Sequence, residues 1–197
     1  MNMGVLTALA AVLSFTVPAA RAQPTDQPNY YSQDELMGFR GTAESLIDAA
    51  RKIERMTGGK VAEIRFTDTD GVRGFHAVVM KGGQAQFMLL EEKSGRLAPI
   101  LHKSEPVWML RWRGQVDAHL VEGAKVPLDR AIRTAEKAEN NRPAIAAGIA
   151  RSAENPDTSV HAWNVLIDRD GVAKRVAVDD STGQIITDPQ ALAGWPS

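Results

Sequence analysis

The chain has 197 residues, 23 basic and 24 acidic side chains and a net charge of −1 at pH 7. This balance argues against nucleic acid as a partner, because nucleic-acid-binding proteins present clustered basic surfaces. The chain contains no cysteine, so we expect no disulfide, no thiol nucleophile and no lipid anchor on an N-terminal cysteine.

The first 22 residues have the pattern of a cleavable export signal. Residues 5–17 form an almost unbroken apolar run, shorter than the roughly 20 residues that span a bilayer. Pro18 breaks the run, and residues 20–22 (Ala-Arg-Ala) form the small-x-small pattern of a cleavage site. No basic residue precedes the run, and an uncleaved anchor or a misplaced start codon is the alternative. We predict a periplasmic or secreted protein that begins at Gln23 and has no membrane span.

Two later segments have apolar residues at positions i, i+3, i+4 and i+7, which is the spacing of one stripe on an α-helix. The stripes are Leu46, Ala49, Ala50 and Ile53, and Leu128, Ala131, Ile132 and Ala135. Thr42 is the predicted N-cap of the first helix, and the glycine pair 58–59 ends it. Pro127 introduces the second helix, which fades at 140–141.

After each helix the hydrophobic period changes to two, which predicts short antiparallel strands joined by tight turns. In the first half the predicted strands are 61–67, 73–80, 84–91 and 96–101. In the second half they are 145–151, 159–167, 172–178 and 184–187. For 145–151, an alanine-rich extension of the helix is the alternative.

The two halves align with each other in sequence. The aligned pairs are Leu46 with Leu128, Glu54 with Glu136, Gly83 with Gly171 and Gly95 with Gly183. The extra residues of the second half fall in its loops, where a structural repeat tolerates insertions. Chance similarity of two helix-then-hairpin segments is the alternative.

Each half closes on two acidic residues, any residue, Ser or Thr, Gly, any residue and Ile or Leu. Residues 179–185 (Asp-Asp-Ser-Thr-Gly-Gln-Ile) fit this motif well, and residues 91–97 (Glu-Glu-Lys-Ser-Gly-Arg-Leu) fit it less closely. With the alanine-rich helix and its opening at 126–132, this pattern resembles the PepSY domain. The resemblance implies a non-catalytic, exported or membrane-exposed protein linked to the inhibition or regulation of peptidases.

The predicted fold is α+β with two similar units, each an α-helix packed on a three- to four-stranded antiparallel sheet. The predicted layout is a signal peptide at 1–22, a flexible N-terminal segment at 23–41, PepSY-like unit 1 at 42–101, a connection at 102–125, PepSY-like unit 2 at 126–188 and a tail at 189–197. Units of about 60 residues bury little core alone, so we expect the two to pack into one body.

The sequence contains no recognisable catalytic motif. Asp68, Asp70, Asp168 and Asp170 resemble parts of calcium loops, but further ligands are missing, and tight-turn chemistry explains these residues better. The histidines His76, His102, His119 and His161 lack metal-ligand spacing, and we expect partly exposed polar residues. The acidic pairs 91–92 and 179–180 are expected to be solvated. We therefore predict no enzyme activity, no cofactor and no metal site.

The connection contains the most distinctive stretch, residues 107–113. Trp and Arg are over-represented at binding hot spots, so Trp108, Arg111, Trp112 and Arg113 form the predicted partner-binding site. The alternative is that the tryptophans fill the gap between the units.

The functional hypothesis is a non-catalytic binding or inhibitory module in the periplasm, with a protein partner such as a peptidase or an envelope protein. The alternative is an accessory or sensory protein of the envelope that binds a small molecule or a metal between the two units. The sequence predicts no oligomeric state.

Overall fold

The computed structural model describes residues 33–69, 72–100, 119–151 and 161–187. Within them the helices are α1 (Gln33–Arg40), α2 (Leu46–Thr57), α3 (Leu120–Gly123) and α4 (Leu128–Ala138). The strands are β1 (Lys60–Thr69), β2 (Val72–Lys81), β3 (Gln84–Glu91), β4 (Leu97–Pro99), β5 (Ala144–Arg151), β6 (His161–Arg169) and β7 (Val172–Asp179). All seven belong to one antiparallel sheet in the order β4-β3-β2-β1-β5-β6-β7.

The α+β class is confirmed, but the sheet is larger than predicted. Strands β1 and β5 pair through residues 63–65 and 146–148, so a single sheet stands where we predicted two of three or four strands. Both strands are buried on both faces. β5 has the continuous apolar run typical of such a strand, whereas β1 alternates apolar with polar residues, and neither pattern identifies the neighbouring strand.

The strand positions agree with the sequence pattern to within two residues. Residues 144–151 form strand β5 and not an extension of the preceding helix. The predicted last strand, 184–187, is reduced to one bridge between Ile185 and Val178.

Helix α2 begins three residues later than predicted. Ser45 is its N-cap, because the Ser45 hydroxyl accepts a hydrogen bond from the Asp48 N–H at 3.1 Å. The predicted cap, Thr42, accepts instead from the Glu44 N–H at 3.3 Å in the preceding loop. Ser45 caps the helix in place of Thr42 because it directly precedes the apolar stripe. Gly58 ends the helix at φ +70°.

Helix α1 lies in the segment that we predicted to be flexible. Its Leu36 and Phe39 are buried, and the Phe39 ring packs edge-on against Phe66 at 5.4 Å. The Arg40 guanidinium donates two hydrogen bonds to Asp168, at 2.5 and 2.8 Å. The prediction is therefore wrong for residues 33–40, because only two of their apolar side chains are buried, and two positions give little periodic signal. Residues 23–32 lie outside the described residues.

Helices α2 and α4 lie on the same face of the sheet, which we call the helix face. Arg51 of α2 donates to Asp129 of α4 at 2.5 Å. The Trp163 indole N–H of β6 donates to the Val126 carbonyl, just before α4, at 2.8 Å. Because side chains alternate along a strand, Asn164 lies on the opposite face, which we call the far face.

Candidate functional site

The predicted partner-binding residues Trp108, Arg111, Trp112 and Arg113 lie outside the described residues, as does His102. Their role stays a prediction.

The second Asp-x-Asp-Gly segment forms a tight turn between β6 and β7. The Asp168 carboxylate accepts from the Gly171 N–H at 2.9 Å, and Asp170 and Gly171 have φ of +57° and +91°. Burial by itself would raise the pKa of Asp168, but hydrogen bonds from Arg40 and the Gly171 N–H outweigh it and lower that pKa. Asp170 is paired with Arg142 at 2.7 Å. Turn formation and ion pairing therefore account for both carboxylates.

The far face carries a row of buried polar side chains, which we call the polar row. Its members are Glu63, Arg65 and Thr67 on β1, His76 on β2 and Asn164 on β6, all less than one-tenth exposed. Arg65 stands opposite His76 across the β1–β2 ladder, and Glu35 of α1 lies 3.8 Å from its guanidinium. His76 is therefore buried, contrary to our prediction, whereas His119 is exposed and His161 is half-buried.

Burial changes the protonation of two members of the polar row. Desolvation raises the pKa of Glu63 to about 7, although Arg65 acts in the opposite direction. Desolvation and the neighbouring Arg65 lower the pKa of His76 to about 4. Glu63 therefore exchanges its proton near neutral pH, while His76 stays uncharged. Such shifts mark functional sites more often than chance, although structural networks also produce them.

The second acidic residue of each closing turn has a different partner in the two halves. Asp180 is 5 % exposed, and its carboxylate accepts from the backbone N–H groups of Lys125 and Val126 at 3.4 and 3.1 Å. The prediction that this residue is solvated is therefore wrong. Glu92, at the aligned position of the first half, pairs with Arg73 instead.

An open cleft of about 670 Å³ lies beside Glu92. One side is formed by the loop before α2, the first turn of α2 and Lys52, one turn further along that helix. The other side is formed by Arg73, Glu92 and Lys93 from the sheet. These residues are scattered along the sequence and match no motif, so sequence reasoning missed the cleft.

Two kinds of feature are absent from the described part of the chain. No group of three His, Asp or Glu side chains there is arranged to hold a metal ion. No helix there has the length and apolarity needed to cross a membrane.

No protein-family model and no curated protein matches this chain. Among solved structures, the chain is similar to the crystal structure of a "putative lipoprotein" from Clostridium difficile 630, with 12% sequence identity and a TM-score of 0.36. The match covers 71% of this chain and 88% of that chain. A likeness this low supports no functional assignment, so the PepSY resemblance and export stay predictions.

Proposed function

We propose that this chain is an exported protein of two PepSY-like units that binds and regulates a protein partner, such as a peptidase, without catalysis of its own. The observation that supports it best is a set of hydrogen bonds found at aligned positions in both halves. These bonds involve the helix-to-strand junction and the closing turn, and the closing turn carries the resemblance to the PepSY domain.

The helix-to-strand junctions have the same construction. Glu54 of α2 accepts from the Val61 N–H at 3.1 Å, and Glu136 of α4 accepts from the Ala144 N–H at 3.0 Å. In each case the strand has a shift of register directly afterwards, at 61–63 in β1 and at 144–146 in β5. A bulge at the same place with the same side-chain acceptor is a specific feature, since bulges are kept within families.

The closing turns also correspond. The Gly95 N–H donates to the Glu91 carbonyl at 2.9 Å, and the Gly183 N–H donates to the Asp179 carbonyl at 2.8 Å. Both glycines have positive φ, +65° and +73°. The strand order supports the same conclusion, because β1 and β5, the first strand after each long helix, are neighbours at the centre of the sheet.

The regulatory role comes from the resemblance and the export pattern, and it can be tested directly. The full chain is expressed in a bacterium, and the exported protein is purified and weighed by intact mass spectrometry. We expect a mature N-terminus at Gln23. Added to a thermolysin-type metallopeptidase, the protein should slow substrate cleavage, and immobilised on resin it should retain the peptidase.

The matched variants use the predicted partner-binding residues. Replacement of Trp108 and Trp112 by Ala should weaken retention, whereas Trp195→Ala, in the predicted tail, should not. A protein that neither retains nor slows any peptidase of a broad panel, and captures no envelope protein, would refute the regulatory role.

The alternative function is a sensory protein that binds a small molecule or a metal between the units, and the polar row favours its small-molecule form. Glu63 lies at the β1–β5 seam, opposite Gly148, and Arg65 is its neighbour on the far face. Native mass spectrometry of the purified protein should then show a retained ligand or ion. A single species at the mass of the bare chain, together with no thermal shift across a metal panel, would exclude this alternative.

A further inference from the structure

The closing turns of the two halves bind different partners. Because of this difference, an open cleft lies beside the closing turn of the first half. In the second half, the Asp180 carboxylate is seated on the loop 123–127 that leads into α4, where it accepts from the N–H groups of Lys125 and Val126. The carboxylate is buried, so this loop has a built-in anionic ligand.

Within the described residues, no carboxylate accepts a hydrogen bond from the backbone of the aligned loop of the first half, 41–45, where the Glu44 N–H donates to the Thr42 hydroxyl at 3.3 Å. The two loops leave the preceding helices in the same way, since the Thr42 N–H donates to the Phe39 carbonyl and the Ala124 N–H donates to the Val121 carbonyl. Glu92 occupies the place of Asp180, because its N–H donates to the Arg73 carbonyl at 3.0 Å as that of Asp180 donates to the His161 carbonyl at 3.0 Å.

Arg73 explains why Glu92 does not reach the loop. Its guanidinium forms an ion pair with the Glu92 carboxylate and also donates to the Gly38 carbonyl at 2.6 Å. The second half has His161 at this position, which forms no described ion pair with Asp180. Arg73 therefore holds the Glu92 carboxylate against the sheet. The cleft lies between this carboxylate and loop 41–45.

The cleft is lined by three acidic and three basic side chains, so what matters for a ligand is which of them already have partners. Its three acidic side chains already have partners: Glu92 pairs with Arg73, Glu44 lies 3.7 Å from Lys52, and Asp48 accepts from the Ser45 hydroxyl at 2.7 Å. Lys93 is exposed, and within the described ranges it has no partner. A ligand carboxylate in the cleft would pair with Lys93 and would also accept a charge-assisted hydrogen bond from Lys52.

We propose that the cleft binds a carboxylate side chain of a peptide, seated against loop 41–45 as Asp180 is seated against loop 123–127. The proposal rests on the two-unit organisation under Proposed function and adds the class of ligand to it. A cleft of this size accommodates a short peptide segment, since ligand sites measure roughly 300–1,000 Å³.

The probe is a peptide of residues 178–185 of this chain, acetylated and amidated, because it carries Asp180 in its own sequence context. It is titrated into isotope-labelled protein while backbone amide signals are followed by NMR. We expect saturable shifts centred on Ala43 and Glu44. A peptide with Asn in place of Asp180 should bind about tenfold more weakly, because a charge-assisted hydrogen bond is replaced by a neutral one.

Two further arms identify the source of the carboxylate and the cations that hold it. The Asn peptide with a free C-terminal carboxylate should not recover the affinity, because the proposal assigns the site to a side chain. Lys93→Met and Lys52→Met should each weaken binding about tenfold, since each removes a charged partner. Lys137→Met, on the exposed part of α4, should leave binding unchanged, and circular dichroism checks that each variant folds.

Equal binding of the Asp and Asn peptides, shifts centred elsewhere, or no saturable shift would each overturn the proposal. A separate measurement tests the organisation on which it rests. Asp180→Asn in the protein should move the amide signals of Lys125 and Val126. If it does so while no peptide binds, the carboxylate site is wrong and the two-unit organisation stands; if those signals do not move, the correspondence of the two loops fails.

Discussion

The two halves of the sheet differ most on the far face. At the places where the first half has Glu63, Arg65 and Thr67 on β1, the second half has Ala146, Gly148 and Ala150 on β5. His76 corresponds in the same way to Asn164. On the helix face the halves are more alike, because both pack an alanine-rich apolar stripe against the sheet, although Ile53 aligns with Ala135 and Ile132 aligns with Ala50.

This contrast shows that one framework carries two kinds of surface. Helix stripes, bulges and closing turns fix the backbone and are alike in both halves. The polar side chains of the far face and the second acidic residue of each closing turn differ between the halves. We therefore expect substitutions in the framework to act equally in the two halves, and substitutions of the polar groups to act in one half only.

The helix face should give the largest and most equal effects. Ile53→Ala and Ile132→Ala each remove a fully buried side chain, and we expect each to lower the free energy of unfolding by about 2–5 kcal/mol. Denaturant unfolding followed by circular dichroism measures both. Met56→Ala, at a side chain 53% exposed, is the control and should change it by less than about 0.5 kcal/mol. A loss confined to one isoleucine would contradict equal roles of the two helices.

The closing turns should separate the halves. Asp180→Ala leaves two backbone N–H groups without their buried acceptor, and we expect a loss of about 1–3 kcal/mol in the free energy of unfolding. Glu92→Ala breaks a partly exposed ion pair, and the loss should stay below about 1 kcal/mol. The same denaturation experiment compares them. Equal losses would show that Glu92 and Asp180 have the same structural role.

The polar row should make stability depend on pH through two opposing groups. The pKa of Glu63 is raised from 4.5 to about 7, so its contribution is present below pH 4.5 and is lost as the pH rises through 7. The pKa of His76 is lowered from 6.5 to about 4, so its contribution is present above pH 6.5 and is lost as the pH falls through 4. Between pH 4.5 and 6.5 the two effects oppose each other.

Single variants should expose each effect. In Glu63→Gln only His76 remains, and the free energy of unfolding should fall as the pH is lowered from 6.5 to 4. In His76→Gln only Glu63 remains, and it should rise as the pH is lowered from 7 to 4.5. Each slope approaches at most about 1.4 kcal/mol per pH unit. Chemical denaturation at several pH values measures the slopes, and parallel curves for both variants would refute the assignment.

The turn glycines should give the smallest effect, again equal in both halves. Gly95→Ala and Gly183→Ala force a β-carbon into positive φ, and each should cost about 1 kcal/mol. Gly123→Ala is the control, because its φ is not positive and its β-carbon would meet nothing within 4 Å. Thermal unfolding measures all three, and an unchanged Tm for Gly183→Ala would argue against a strained turn there.

The sequence by itself determined the parts of this protein that depend on neighbours along the chain. Apolar spacing located α2 and α4, alternation located the strands, and glycine with acidic residues located the turns. These signals are local, because a helix stripe or a tight turn is set by residues within a few positions of each other. The exceptions were α1, whose two buried apolar side chains give no clear period, and the N-cap of α2, where Thr42 and Ser45 have the same chemistry.

Only the tertiary structure decided how the halves meet and which polar groups are buried. The pairing of β1 with β5 joins residues more than 80 positions apart, and the residue pattern of a strand does not specify which other strand it pairs with. The burial of Glu63 and His76, the anchoring of loop 123–127 by Asp180 and the cleft at loop 41–45 all follow from contacts between distant segments. The sequence does not show whether water or a buried backbone N–H surrounds a charged side chain. That surrounding sets the pKa of the side chain.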